Sequence, residues 1–527
     1  MIAPEEAFRK INTKFGKKYR IAFLSTLIVG LIVHFPVMLS DIPNHDGLEH
    51  IYSSQNMITS GRWFLTVACG ISSYFTVPWV IGLIGLLFLA CAGMVLADLF
   101  ELESPISIAV CGGLLATFPS LASTFAYIFA LDGYMMALFL AVLSVWLAGR
   151  GNKGWIAGGF CLAFSMGVYQ AYLPFAILLC CYRFIMLLVD GKWSKERRTV
   201  LQRTGEYLGM GILGVALYAV ILRVLLMLCN KELDSYQGIG KVGFAQEGFA
   251  ATMKALYMDF ATFALKKNIL FQNLFSATAM LCLVMVTVAV VMQLASDRHW
   301  FTKPGFYLFV AGLAAVLPIA TGCIRIVSPE LNYHLLMRYH WVLFPIAMLA
   351  FCEKGMAGAE MTKNRFTVLS RWAILISGVV LLFCYGLADN IGYSNLGKKY
   401  EKTYAYCVRL LDRIEQTDGY YQGIPVVIIG VVGNDPYPVT DLTQQVTGNM
   451  TGLGLIGESD YLLNKGADYE AFIKNYLGAT LNIVADEKII TEVYDSEEYI
   501  NMESFPGAGS TKVVNGKLYV KTENFNR

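Results

Sequence analysis

Ten consecutive residues, Asp41-Ile-Pro-Asn-His-Asp-Gly-Leu-Glu-His50, hold the carboxylates Asp41, Asp46 and Glu49 and the imidazoles His45 and His50. A carboxylate within reach of a hydroxyl can take its proton. The histidines lack the spacing of a metal ligand set. Another carboxylate, Asp132, stands in the apolar run Phe125-Ala-Tyr-Ile-Phe-Ala-Leu-Asp132-Gly. There it can either favour a helix N-terminus or face Asp46 across a shared cavity. Arg223 interrupts Tyr218-Ala-Val-Ile-Leu-Arg-Val-Leu-Leu, and Arg325 and Arg338 flank Ile326–Met337. Guanidinium groups fork onto phosphate oxygens, although long basic side chains also snorkel to headgroups. Tyr169-Gln170-Ala-Tyr172 and Ser235-Tyr236-Gln237-Gly238 pair tyrosine rings with amides. Such pairs suit sugar rings and hydroxyls, and tyrosines alone suit a membrane interface.

The elements that must position these groups are greasy. The 527 residues are 56% hydrophobic and 15% charged, with a mean hydropathy of +0.53, which sets the chain apart from soluble domains of this length. A hydrocarbon core about 30 Å thick asks for roughly 20 apolar residues per helix, and about eleven such spans fit between Ile21 and Ala388. The fourth opens near Asp132 and the last ends at Ala388. Pro36 and a charged loop follow the first span without a cleavage pattern, so the N-terminus is expected to stay attached. Lys17, Lys18 and Arg20 precede the first span, while Arg150, Lys153, Arg203, Arg298, Lys354 and Arg371 mark alternate loops. The bias of basic residues predicts that these face the cytoplasm and that 40–77, 119–132, 229–273, 324–339 and everything after Ala388 face out.

The fold class expected is therefore a polytopic α-helical membrane protein with a C-terminal extracytoplasmic α/β domain, divided into residues 1–390 and 391–527. Beyond Asn390 charged residues become frequent. Lys398–Gln416 reads as a helix, Ile424–Val432 as a buried strand, Tyr469–Leu477 as a helix and Lys517–Lys521 as a strand. Gly430-Val-Val-Gly433 lacks the third glycine of a dinucleotide fingerprint. Most of the twelve cysteines sit within apolar spans, which suits buried thiols rather than a disulfide scaffold. The net charge of +2 gives no sign of nucleic acid as a partner.

An acidic first outward loop followed by Gly61-Arg62-Trp63, an Asp opening the fourth span, and the Tyr169-Gln170-Ala-Tyr172 turn together resemble the bacterial serotype-converting glucosyltransferases, the Gtr family. The resemblance runs from about Asp41 to Arg338. The family's two adjacent aspartates in the first loop are here Asp46-Gly47, so Asp41, Glu49 or Asp132 would have to supply the second carboxylate. The resemblance implies a plasma-membrane enzyme of the GT-C architecture, a polyprenyl-phosphate sugar donor such as undecaprenyl-phosphate-glucose, and a surface glycan or glycolipid acceptor. Asp46 would be the general base of an inverting displacement. Asp132 would orient the acceptor or join Asp46 around magnesium or manganese, metal dependence staying open and no other cofactor being implied. Arg223, Arg325 and Arg338 would hold the donor phosphate. Glu49, Arg62, Tyr169, Gln170, Tyr172, Tyr236 and Gln237 would meet sugar or acceptor. A transporter or flippase is the rival from another class, and a lipid-linked oligosaccharide polymerase or ligase is the nearer one.

Overall fold

In the computed structural model the apolar runs are helices. It describes residues 3, 5–6, 16–72, 74–151, 153–189, 197–234, 248–266, 268–328, 331–357, 365–430, 450, 453, 461–463 and 465–522. Contacts divide the chain into two compact units, 1–39 with 53–390 and 40–52 with 391–527. The sequence reading leaves the first loop with the spans. The contact division groups Ser40–Tyr52 with the tail.

Nine helices of the first unit and its continuation are long and apolar enough to cross a bilayer among the described residues, or ten if one bent pair counts as a single span. The bend has a local cause. Pro119 pushes Phe118 into extended backbone (φ −65°, ψ 127°), which ends Pro105–Thr117 and restarts the helix as Pro119–Phe125 at 47°. Eleven full-length spans are not reproduced. The stretch read as the fifth span is the 15-residue helix Gly154–Val168, about 22 Å long at 1.5 Å per residue and so short of the hydrocarbon thickness.

Small residues let the helices approach closely. A Cβ on Gly82 would fall 2.6 Å from Met38 and one on Gly93 2.7 Å from Thr26, which seats Pro78–Leu99 against Lys17–Leu39. At the end of Pro78–Leu99, Asp98 receives Arg150 at 2.8 Å and lies 3.9 Å from Lys18. Three residues on, Glu101 receives Arg183 at 2.6 Å and Lys354. Its carboxyl is the more buried for this, yet the bonds from Lys354 and Arg183 hold it below the usual range. Basic residues from sequentially distant loops thus gather at one end of the helices.

The 51-residue helix Arg365–Glu415 enters the second unit at Ile391 and contains the predicted Lys398–Gln416. That unit holds a four-stranded sheet of β1 (Pro425–Ile429), β2 (Asn482–Ile483), β3 (Thr511–Val514) and β4 (Lys517–Lys521) in the order β2-β1-β4-β3. β1 runs parallel to β2 and β4, while β3 and β4 form a hairpin. Asn515 and Gly516 take positive φ between them, the two-residue turn that matches strand twist. Val427, Ile429, Val493, Tyr499, Met502 and Tyr519 form a core on the sheet. The helix read over Tyr469–Leu477 is Gly466–Phe472 continued by a π-turn, Ile473–Leu477. Of Gly430-Val-Val-Gly433, residues 431–433 lie outside the described residues.

Candidate functional site

In the first unit, a cationic group assembles around Arg338. This residue sits at a kink (φ −100°, ψ 17°) in the 3-10 segment Leu335–Val342 and is 8% exposed. Its guanidinium forks onto Asp259 of helix Phe249–Leu265, Nη1 donating to Oδ2 at 2.8 Å and Nη2 to Oδ1 at 2.6 Å. Nε donates to the Tyr333 carbonyl at 3.3 Å, and the plane lies 4.1 Å from the Tyr333 ring and 4.6 Å from that of Phe263. Arg325 places Nη2 3.8 Å from the same Asp259 oxygen. Two guanidinium groups facing one carboxylate leave a formal excess of one positive charge, in aromatic company that screens it poorly from an anion. Asp259 was missed in the sequence because the outward segment around it was not read as a helix. Arg223 is not part of this group. It is exposed on Arg197–Leu228 and has no ion pair among the described residues.

The Gly61-Arg62-Trp63 motif is held from behind by the Tyr169–Tyr172 turn. Gly61 has φ +77°, and a Cβ there would fall 2.6 Å from Gln170 Nε2, so conformation and space both require glycine. Gln170 Nε2 donates to the Ser60 carbonyl at 3.2 Å and to Tyr218 Oη at 2.9 Å, and Tyr218 donates to the Gly61 carbonyl at 3.2 Å. The Phe64 amide donates to Gly167 at 2.7 Å. Arg62 donates to Tyr134 Oη at 3.3 Å and lies 4.9 Å from the Tyr169 ring, which stacks on Tyr134 at 4.8 Å. Tyr169, Gln170 and Tyr172 are 4%, 8% and 2% exposed. Their burial puts them in the interior, where Gln170 and Tyr169 brace the 57–64 turn. Tyr236 and Gln237 lie outside the described residues.

Asp132 opens Leu131–Ala148 and is fully buried. Oδ1 accepts the Gly133 amide at 2.8 Å, so the carboxylate does serve the helix start. Ser72 and Cys69 direct their side-chain donors at the same carboxyl. The short helix Leu65–Cys69 covers it, with Cys69 Sγ 2.8 Å from where a Gly133 Cβ would stand. Asp389 is a second buried acid, neither of whose oxygens has a hydrogen-bond partner among the described residues. The span was ended at Ala388, whereas the helix continues through Asp389 and buries it. A charged residue at the end of an apolar run was the signal available.

The opening acids belong to the second unit. Asp46–Glu49 is a 3-10 turn whose Gly47 amide donates to Asn44 Oδ1 at 2.7 Å. Leu48 is fully buried and its carbonyl accepts Asn475 Nδ2 at 3.3 Å. Glu49 meets Lys465 at 2.8 Å, a bond that raises the ammonium's pKa. The Asp46 side chain stays 52% exposed, with His45 Nε2 3.5 Å away. Burial lowers the His50 imidazole. Among the described residues no three His, Cys, Asp or Glu side chains converge as a metal site. All twelve cysteines are free thiols.

A family model described as Glucosyl transferase GtrII matches residues 35–352, more than half of the chain. No curated protein and no solved structure matches it. The matched region holds Asp46, Arg62, Asp132, Asp259, Arg325 and Arg338, and ends before Asp389. With its long apolar helices the chain is a membrane-embedded glycosyltransferase, which sets transfer chemistry above transport, and it belongs to the GtrII glucosyl transferase family.

Proposed function

We propose that the protein transfers a hexose, glucose by family, from a polyprenyl-phosphate donor to a surface glycan or glycolipid at the outer face of a bacterial plasma membrane. The observation that carries this reading is the Arg325–Asp259–Arg338 group. It offers an anion two guanidinium groups of which one carboxylate balances only half. Apolar helices beside it suit a polyprenyl tail. Asp46, exposed on its 3-10 turn, takes the proton of the acceptor hydroxyl as that oxygen bonds the anomeric carbon. The bond from that carbon to the phosphate oxygen breaks, and polyprenyl phosphate leaves with the electron pair. Arg325 and Arg338 stabilise the departing charge, so no separate acid is needed. Direct displacement inverts the anomeric centre.

Asp132 orients the acceptor side of the site, its carboxyl held in place by Ser72 and Cys69. Gln170 and Tyr218 position Gly61-Arg62-Trp63 rather than touching sugar. In this reading the architecture is GT-C-like, with eleven crossings that include the short helix Gly154–Val168 and the bent pair, the N-terminus inside and the C-terminal unit outside. The gathering of Lys18, Arg150 and Lys354 at acids near one helix end supports that orientation, since basic residues at the ends of spans favour the cytoplasmic side. The test is transfer from synthetic polyprenyl-phosphate glucose by the full chain in lipid nanodiscs. Glucose appearing on the acceptor one residue at a time is expected, and polymerisation of whole glycan blocks would replace this reading with the polymerase one.

A further inference from the structure

A cleft of about 510 Å³ opens in the second unit between the Leu48–Tyr52 segment and the helical stretch Gly466–Leu477. Ligand pockets commonly span about 300–1,000 Å³. Its floor is apolar and small-residued, from Leu48, Ile51, Ala467 and Ala471. Its polar lining is Glu49, Tyr52, Glu470, Lys474 and Asn475. Tyr52 stands at the rim and is 69% exposed. Asn475 is fixed by its bond to the Leu48 carbonyl, and Glu49 by Lys465, which presets the rim.

The charge of this lining separates it from the arginine group. Glu49 and Glu470 are balanced by Lys474 and by Lys465 on Glu49, so the rim offers a phosphate no excess positive charge, whereas carboxylate and amide oxygens accept hydroxyl protons and an aromatic plate covers a pyranose face. Position adds a second argument. Asp46 and Glu49 are i and i+3 of one 3-10 turn, where side chains eclipse, so the proposed base stands over the cleft rim at a rise of about 6 Å.

We propose that this cleft binds the neutral saccharide chain of the acceptor, with Tyr52 as the stacking plate and Glu49 and Glu470 as hydroxyl acceptors, and so delivers the acceptor hydroxyl to Asp46. The inference rests on the transferase reading for what the glycan does next, and on the cleft alone for binding. The probe is the delipidated neutral polysaccharide fraction from the surface of the native cells, titrated into the full chain in nanodiscs without donor. Inorganic phosphate serves as the anionic control. Tyr52→Ala should weaken binding at least tenfold and Glu470→Gln several-fold, while Tyr52→Phe, which keeps the ring, stays within about twofold of the parent. No binding to the parent, equal binding by Tyr52→Ala, or displacement of polysaccharide by phosphate would each overturn the proposal. Tyr52-dependent binding in a protein that transfers no sugar would uphold the cleft and sink the transferase reading alone.

Discussion

Replacing Arg338 by alanine removes two charge-assisted hydrogen bonds, at 2.8 and 2.6 Å, from a side chain that is 8% exposed. Two consequences separate. For the fold, Asp259 loses its fork and keeps only Arg325 at 3.8 Å, and breaking a buried pair costs about 3–5 kcal/mol. The lower end applies, because the Asp259 side chain retains 19% exposure. The double variant Arg338→Ala with Asp259→Ala removes the carboxylate that lost its fork but leaves Arg325 without its acid, so it should recover only part of that loss. For the donor, a hydrogen bond to a charged group is worth about 1.5–3 kcal/mol, roughly tenfold to a hundredfold in affinity. Initial rates in nanodiscs, with polyprenyl-phosphate glucose varied at saturating acceptor, should show the donor KM raised by that factor in both variants. The acceptor KM should not move. Arg338→Lys keeps the charge but not the fork, so it should fall between. A donor curve for the folded double variant that superposes on the parent's would refute the phosphate assignment.

Asp46→Asn should lower kcat by about 10²–10⁴ with donor affinity retained, and a variant keeping more than about a tenth of parental kcat would end the base assignment. Gly61→Ala imposes about 1–2 kcal/mol for the left-handed backbone, plus an overlap with Gln170 and Tyr218, so thermal unfolding should shift down and transfer should fall with it. An unshifted melting curve would contradict the packing described. Burial holds the His50 imidazole below its ordinary value of 6.5, against the pull of Asp46 and Glu49. The unfolded chain then takes up the proton first, so the loop's stability is full above about pH 6.5 and declines as the pH falls below it. Amide exchange across Ser40–Tyr52, corrected for intrinsic rates, should rise between about pH 6.5 and 5 in the parent and stay flat in His50→Gln.

The sequence by itself determined what local chemistry can specify. Runs of apolar residues must be helical in a bilayer, since every backbone amide has to be satisfied within the segment, and the runs from Ile21 to Ala388 are helices. Pattern likewise marked β1, β4 and the helix near Tyr469, each decided by residues adjacent in the chain. The family was legible too, from Gly61-Arg62-Trp63 and Tyr169-Gln170-Ala-Tyr172, although not the work those residues do. What only the tertiary structure decided were pairings between distant segments. Asp259 forks Arg338 across 79 positions, Gln170 and Tyr218 brace Gly61 from two other helices, and Leu48 and Glu49 close on Asn475 and Lys465 of the tail. Asp389 is interior because its helix runs on past the apolar stretch, and no periodicity of the run before it announces that continuation. A hydrogen bond is set by where two groups meet in space, and hydropathy and spacing record only what each segment can bury alone.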